Sequence, residues 1–227
     1  MKFHYLSRID VLSVALFIAT FEFFALCFLP FLGYSSVYAG IIDGFVAAFF
    51  AVLFFNFLSL KGWKLVFWLD GKKKGLQRLD LIVSCLANAV FLALLFSSQN
   101  FIVFGFVDNQ VVRDGLSGFF NTFVAMVFCI ILFNLLSMII GLRFNIVVDG
   151  KKLSVVRIGL RSAFFVGLFE LFILPFMGLF FVLFNSLPSF LSFPLVGLLG
   201  GFFGCIVAGF VYNFFAKKFK GISICID

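Results

Sequence analysis

The sequence contains three copies of one pattern at an almost constant spacing. In each copy an asparagine lies near the end of an apolar run, and an aspartate follows 14 or 15 residues later. The signature residues are Asn56, Asn134 and Asn213, with Asp70, Asp149 and Asp227. Successive asparagines are 78 and 79 positions apart, and successive aspartates are 79 and 78 positions apart. So regular a period indicates one supersecondary unit used three times. We therefore predict repeats at residues 9–74, 78–152 and 153–227.

The apolar composition indicates that lipid surrounds most of the chain. Hydrophobic residues make up 64% of the sequence, charged residues make up 12%, and the mean hydropathy is +1.24. A soluble domain of this length cannot bury so much apolar surface. Six stretches approach the length of roughly 20 residues that crosses a bilayer. They lie at about 11–32, 41–60, 81–96, 116–140, 163–184 and 193–215. Residues 1–227 are thus predicted to form a single integral membrane domain.

Basic residues are concentrated on one side of these predicted helices. The net charge is +7, and only Arg113 among the lysines and arginines falls on the other side. The positive-inside rule therefore predicts that both termini are cytoplasmic. A prokaryotic cytoplasmic membrane is the default location. Anionic lipid headgroups account for the charge, so we expect a bilayer rather than nucleic acid as the partner of the basic face. The sequence leaves open whether the chain forms a homo-oligomer or binds a partner in a membrane complex.

A segment with alternating apolar residues follows the second helix of each repeat. The residues of the apolar face are Leu65, Phe67 and Leu69, then Phe144, Ile146 and Val148, then Ile222, Ile224 and Ile226. Strict alternation indicates a β-strand with one covered face. The Asp-Gly pairs after the first two strands predict turns. These strands would pair with each other or with a neighbouring subunit, or they would accept a strand from another protein.

The repeats share one orientation, because each of them crosses the membrane twice. Parallel repeats of this kind are related by an axis along the membrane normal. The predicted fold class is therefore an all-α membrane protein with three tandem parallel hairpin repeats and pseudo-threefold symmetry. It has six transmembrane helices, and each repeat ends in a short cytoplasmic β-strand.

Small residues recur at helical spacing in the last predicted helix. One row contains Gly197, Gly201 and Cys205, and a second contains Gly200, Gly204 and Ala208. Small residues every four positions let helix backbones approach closely in lipid. We favour this packing role over a permeation path lined by bare backbone.

The third repeat resembles a family of small bacterial membrane proteins known only as a domain of unknown function. The resemblance rests on three segments and on the glycine-rich sixth helix. The segments are Leu153-Ser154-Val155, Tyr212-Asn213-Phe214-Phe215-Ala216 and Gly221-Ile222-Ser223-Ile224. It covers about a third of the chain. It implies the unit of a helical hairpin followed by a strand, and it implies no activity.

Two acids lie near the middle of apolar helices and carry the functional prediction. Glu22 lies in the first predicted helix and Glu170 in the fifth, and Asn88 lies at a comparable depth in the third. A charge in the middle of a bilayer costs at least about 2.5 kcal/mol, so each acid must be protonated, paired or turned toward water. The three residues are predicted to form a polar centre that handles protons or cations. The alternative is a neutral carboxyl that holds helices together by hydrogen bonds.

Polar residues at the helix ends have structural or electrostatic roles in this prediction. Asp43, with Asn121 as its repeat equivalent, would line an outer vestibule that attracts cations, or Asp43 would cap its helix. The three signature asparagines would hold the turn between helix and strand or bind a neighbouring backbone. The three signature aspartates are likewise predicted to be structural.

Nothing in the sequence predicts catalysis. The chain has one histidine, five scattered cysteines and no phosphate-binding or nucleophile motif, so we predict no catalytic residues, no metal site and no cofactor. Two classes of function remain. One is a proton- or cation-linked permease or channel-like bundle, and the other is a non-enzymatic structural or accessory subunit. The subunit would dock a partner through its cytoplasmic strands and basic face.

Overall fold

The structure is a computed structural model that describes residues 2–32, 37–98 and 109–227. In this part of the chain the order strand, helix, helix, strand occurs three times. The first unit contains β1 (Phe3–Ile9), α1 (Val11–Leu32), α2 (Val37–Leu60) and β2 (Leu65–Leu69). The second contains β3 (Lys72–Leu79), α3 (Leu81–Ser98), α4 (Gln110–Ile140) and β4 (Phe144–Val148). The third contains β5 (Lys151–Ile158), α5 (Arg161–Leu183), α6 (Ser189–Phe219) and β6 (Ile222–Ile226).

The predicted all-α fold class is wrong, because the strands form a closed antiparallel barrel in the order β1 to β6. The alternating pattern predicts β2, β4 and β6 but not β1, β3 and β5. Both β3 and β5 begin with lysines, whose charge masks the alternation and points instead to a cytoplasmic connection. The three additional strands supply the backbone hydrogen bonds that the predicted strands need.

Strand pairing within each unit follows one register. The pairs are Leu6–Leu69, Arg8–Trp68 and Ile9–Phe67, then Leu76–Val148, Arg78–Val147 and Leu79–Ile146, then Val155–Ile226, Arg157–Cys225 and Ile158–Ile224. Each set contains an irregularity between its first two pairs, where the first strand has one extra residue. Because β1 also pairs with β6, the barrel has no free edge. The strands that the structure describes therefore cannot accept a strand from another protein without opening.

Two tight turns connect neighbouring units, as the Asp-Gly pairs predict. Asp70 and Gly71 have φ angles of 49° and 80°, and Asp149 and Gly150 have φ angles of 48° and 77°. Two consecutive positive φ angles are what a type I′ hairpin turn requires, and Asp followed by Gly is among the pairs that tolerate them best. The turn prediction is confirmed.

A single apolar core joins the barrel to the nearby ends of the helices. From the strands it contains Phe67, Ile146 and Val148, and from the helices Phe55 and Tyr212. The residues of the predicted covered face in β2 and β4 belong to this core or pack against it. In β6 the prediction is wrong, because the buried residues are Ser223 and Cys225 of the opposite face and the isoleucines are only partly buried. Side chains thus fill the region between barrel and helices, as expected for a barrel with so few strands.

The six helices of the described ranges form a ring in which each packs against its sequence neighbours, and α6 packs against α1. Glycines permit the closest approaches. A Cβ added at Gly204 would lie 2.6 Å from the Cα of Ile173 in α5, and one at Gly201 would lie 3.1 Å from the Cγ of Glu22 in α1. The two glycine rows of α6 therefore face two different helices, which confirms the packing role.

Four helices in the described part of the chain are long and apolar enough to cross a membrane. They are Tyr38–Leu60, Val112–Ile140, Arg161–Leu183 and Ser189–Phe219. The apolar segments Val11–Cys27 and Leu81–Leu95 of α1 and α3 are shorter. One end of the helix ring carries the barrel and is called the barrel end below. The opposite end, where the two helices of each unit are connected, is called the loop end.

Candidate polar centre in the helix ring

The two predicted acids lie on helices that flank α6. Glu22 is at the middle of α1 and Glu170 at the middle of α5, and both helices pack against α6. Their carboxyl groups are close enough for their charges to interact. Cys205 of α6 is fully buried and lies within electrostatic range of both acids. The structure therefore brings Glu22 and Glu170 to one region of the ring.

Asn88 has a different role from the predicted one. Its side-chain Nδ2 donates a hydrogen bond to the backbone oxygen of Gly44 at 2.7 Å. A Cβ at Gly44 would lie 2.6 Å from the backbone oxygen of Asn88, so α2 and α3 touch at this point. Asn88 holds these two helices together, and it is not among the residues that line the cavity described next.

A cavity of about 450 Å³ reaches from the loop end to Glu170. Apolar residues of five helices form most of its wall. Its polar residues are Glu170 together with Asp114, Ser117, Asn121 and Thr122 of α4. Positions 114, 117 and 121 fall on one face of α4, and they form a polar stripe from the half-exposed Asp114 inward. On α5, Glu170 is the lining residue closest to the barrel end. The cavity thus leads to one of the two acids.

Asp43 and Asn121 each leave a buried side-chain oxygen without a partner. Asp43 is 2% exposed and Asn121 is 5% exposed, and in the described part of the chain neither Oδ1 atom receives a hydrogen bond. Asp43 also interacts electrostatically with Glu22. Because α2 begins at Val37, Asp43 is neither a helix cap nor exposed in an outer vestibule. Unpaired buried acceptors are rare and are expected to bind a proton, an ion or water.

The signature asparagines bind the backbone of the following unit. Asn213 accepts a hydrogen bond from the N–H of Ile9 at 2.8 Å and donates one to its carbonyl oxygen at 3.0 Å. Asn56 makes the same two bonds with Leu79, and Asn134 makes them with Ile158. Each partner is the last residue of a first strand, and the three pairs lead around the ring. We call these contacts the asparagine clamps.

The signature aspartates lie at the far rim of the barrel. Asp149 Oδ1 accepts a hydrogen bond from the N–H of Gly75 at 3.0 Å, and its Oδ2 lies 3.1 Å from the Lys74 ammonium. Asp70 binds the N–H of Tyr5 and the His4 ring, and Asp227 pairs with Arg143. The N–H of Gly75, followed by the Lys74 charge, holds the pKa of Asp149 below its ordinary value despite partial desolvation. These aspartates tie strands together and do not contribute to the polar centre.

The lowered pKa of Asp149 predicts acid sensitivity of the barrel. A carboxyl with a lower pKa in the folded state stabilises the fold above its ordinary value of 3.8, and this contribution disappears as the pH falls through the lower, folded value. We therefore expect thermal stability to decrease below about pH 4. Replacing Asp149 by asparagine, which also tolerates a positive φ, should make this decrease smaller. Melting temperatures of both proteins between pH 3 and pH 7 test the prediction, and parallel curves would contradict it.

Two caps formed by aspartates were not predicted. Asp10 Oδ1 accepts the N–H of Ser13 at 2.9 Å, and Asp80 Oδ1 accepts that of Val83 at 3.1 Å. The available signal was an aspartate directly before an apolar run.

A comparison with protein-family models, with curated proteins and with solved structures finds no match to this chain. The resemblance of the third repeat to a bacterial membrane-protein family therefore stays a prediction.

Proposed function

We propose that this protein is a small permease, linked to protons or monovalent cations, that uses Glu170 and Glu22 in the middle of the membrane. The observation that supports it most is the cavity that leads from the loop end to Glu170. Asn121, whose buried side-chain oxygen has no partner in the described part of the chain, lines the same cavity. Glu22 and, through it, Asp43 extend the polar region across the ring.

The chemistry of these groups favours protons or monovalent cations over a divalent metal. No three histidine, cysteine, aspartate or glutamate side chains in the described ranges are grouped as metal ligands. Carboxyls surrounded by lipid are stable when protonated or paired with a cation. Two acids within electrostatic range would share one positive charge more easily than they would hold two negative ones.

The proposal includes an orientation and a conformational change. With the lysine-rich barrel end in the cytoplasm, the cavity opens to the outside. The apolar core around Phe55 and Tyr212 closes the barrel end. Passage across the membrane therefore requires the hairpins to move relative to one another, as parallel repeats do in other transporters. Pseudo-threefold symmetry of the three units is part of this proposal.

Proton flux into vesicles tests the role of Glu170. We expect purified protein in vesicles with an internal pH-sensitive dye to dissipate an imposed pH gradient. Replacing Glu170 by glutamine, which keeps the shape but cannot release a proton, should reduce the rate at least about tenfold. Thr20→Val in α1 is the matched control, because among the described residues the Thr20 hydroxyl bonds only within its own helix, to the Leu16 oxygen at 2.8 Å. Equal rates for Glu170→Gln and the unaltered protein would contradict the proposal.

The second candidate function is that of an accessory subunit, and it is favoured by the apolar core that closes the barrel end. A partner would then bind the basic face, since the barrel offers no strand edge. Vesicles no more permeable than empty ones, together with a membrane protein that co-elutes in stoichiometric amount after mild solubilisation, would favour this candidate.

A further inference from the structure

A groove of about 1190 Å³ lies where the end of α2 meets β3, β4 and the start of α3. Its helical side is apolar and open, with Leu53, Phe57, Leu60 and Ile82 exposed by 42%, 54%, 85% and 70%. Its strand side carries Arg78 and Lys152, both exposed. The two chemistries meet at the barrel end of a helix that is long enough to cross a membrane.

Comparison with the first unit explains why this groove is open. Arg8 is the register equivalent of Arg78, and Trp68 is the equivalent of Val147. The Arg8 guanidinium stacks on the Trp68 ring, 4.9 Å from its centroid, although Arg8 as a whole stays exposed. In the second unit the smaller Val147 lines the groove instead. The Arg78 side chain therefore faces open space that the tryptophan fills in the first unit.

The acid in the groove, Asp80, offsets only part of this positive charge, and among the described residues it forms no ion pair with Arg78 or Lys152. Asp80 caps α3 through its Oδ1 atom and accepts a bond from Asn145 Nδ2 through its Oδ2 atom at 3.3 Å. Lys61 adds a third positive charge nearby, 5.9 Å from the centroid of the Phe57 ring. The polar side of the groove is therefore cationic, while its other side is apolar and faces the region of the lipid.

We propose that this groove binds one anionic phospholipid, with its phosphate between Arg78 and Lys152 and an acyl chain along Leu53, Phe57 and Ile82. Arginine and lysine are the usual phosphate partners in proteins, and basic pockets at the cytoplasmic ends of transmembrane helices bind anionic headgroups. The site is discrete and belongs to the second unit, unlike the diffuse attraction that a net positive face provides. It does not depend on whether the protein transports anything.

Native mass spectrometry of the whole protein in detergent tests the site. The probes are phosphatidylglycerol, phosphatidylcholine and inorganic phosphate. We expect one phosphatidylglycerol to bind at lower concentration than any other lipid. The double variant Arg78→Gln/Lys152→Gln should weaken it about tenfold. The control Arg8→Gln/Lys151→Gln removes the same charge from outside the groove and should leave binding within about twofold. Equal losses in both variants, or equal binding of phosphatidylcholine, would overturn the proposal, as would displacement by inorganic phosphate alone.

Val147→Trp provides a second test that keeps every charge. The added ring should stack on the Arg78 guanidinium as Trp68 does on Arg8 and fill the space beside it. The first phosphatidylglycerol should then be lost although the net charge is unchanged. A melting temperature close to that of the unaltered protein shows that the variant is folded. Undiminished binding in such a folded variant would overturn the proposal.

Discussion

Replacing Asn213 by leucine is expected to lower the free energy of unfolding by roughly 2–4 kcal/mol. Leucine has a similar size but removes both hydrogen bonds to Ile9. The N–H and the carbonyl oxygen of Ile9 then lose their side-chain partner in a partly buried place, which costs about 1–3 kcal/mol per group. Ile9 itself is 6% exposed, so water cannot easily replace the asparagine. Thermal unfolding in detergent, followed by circular dichroism, measures the effect.

The other asparagine clamps make this prediction sharper. Asn56→Leu and Asn134→Leu remove the same pair of bonds at Leu79 and Ile158, and they should destabilise to a similar extent. Asn109→Ala is the control, because in the described part of the chain the side chain of this exposed residue only accepts a cap bond from the N–H of Val112 at 3.2 Å. Its loss should cost about 1 kcal/mol. A clamp variant no less stable than Asn109→Ala would show that the clamps do not hold the units together.

Replacing Gly44 by valine is expected to cost at least about 3 kcal/mol. The added Cβ would lie 2.6 Å from the backbone oxygen of Asn88 and 2.9 Å from the Cα of Ala89. Backbone atoms of a helix cannot move away as a side-chain tip can, so α2 and α3 must separate. The separation also breaks the bond from Asn88 to Gly44.

Gly178→Ala is the matched control for Gly44→Val. Gly178 also lies inside a helix, but apart from its chain neighbours and its own helix backbone no described atom lies within 4 Å of a Cβ added there. Alanine has the higher helix propensity, by about 1 kcal/mol, so this variant should be as stable as the unaltered protein or slightly more stable. Thermal unfolding of both variants in the same detergent gives the comparison. Similar losses at both positions would mean that helix spacing in this ring is adjustable.

The sequence predicts the parts of the fold that depend on local pattern. The alternation around Phe67 and Ile146 predicts strands, and Asp70-Gly71 predicts a turn, because each pattern reflects the immediate backbone. Barrel closure depends on partners far away in the chain. Nothing local to Lys72 indicates that it begins a strand opposite Leu69. The pairing of β1 with β6 joins segments at opposite ends of the described chain, and no local pattern reports it.

The sequence likewise predicts the features of the polar centre that depend on a residue's own position in its helix, but not those that depend on helix packing. Glu22 and Glu170 stand out because a carboxyl within an apolar helix is costly wherever it points. Asn88 has the same depth and a similar polarity, but which neighbour it faces depends on helix packing. Asp114 and Ser117 escaped prediction, although their spacing with Asn121 was available as a signal of one helix face. The depth of a polar residue in the membrane can be derived from the sequence, whereas the neighbour that its side chain faces can be read only from the packed structure.

The three units close into one ring, with β1 and β6 as the closing pair. Phe3 and Cys225 are paired positions of these strands, and the side chains of paired residues lie close enough for a disulfide. Oxidation of the variant Phe3→Cys should therefore yield a bond between residues 3 and 225 within one chain, detected by peptide mass analysis and absent when Cys225→Ser is added. Folded protein that forms no such bond, or forms it only between two chains, would contradict the closed barrel.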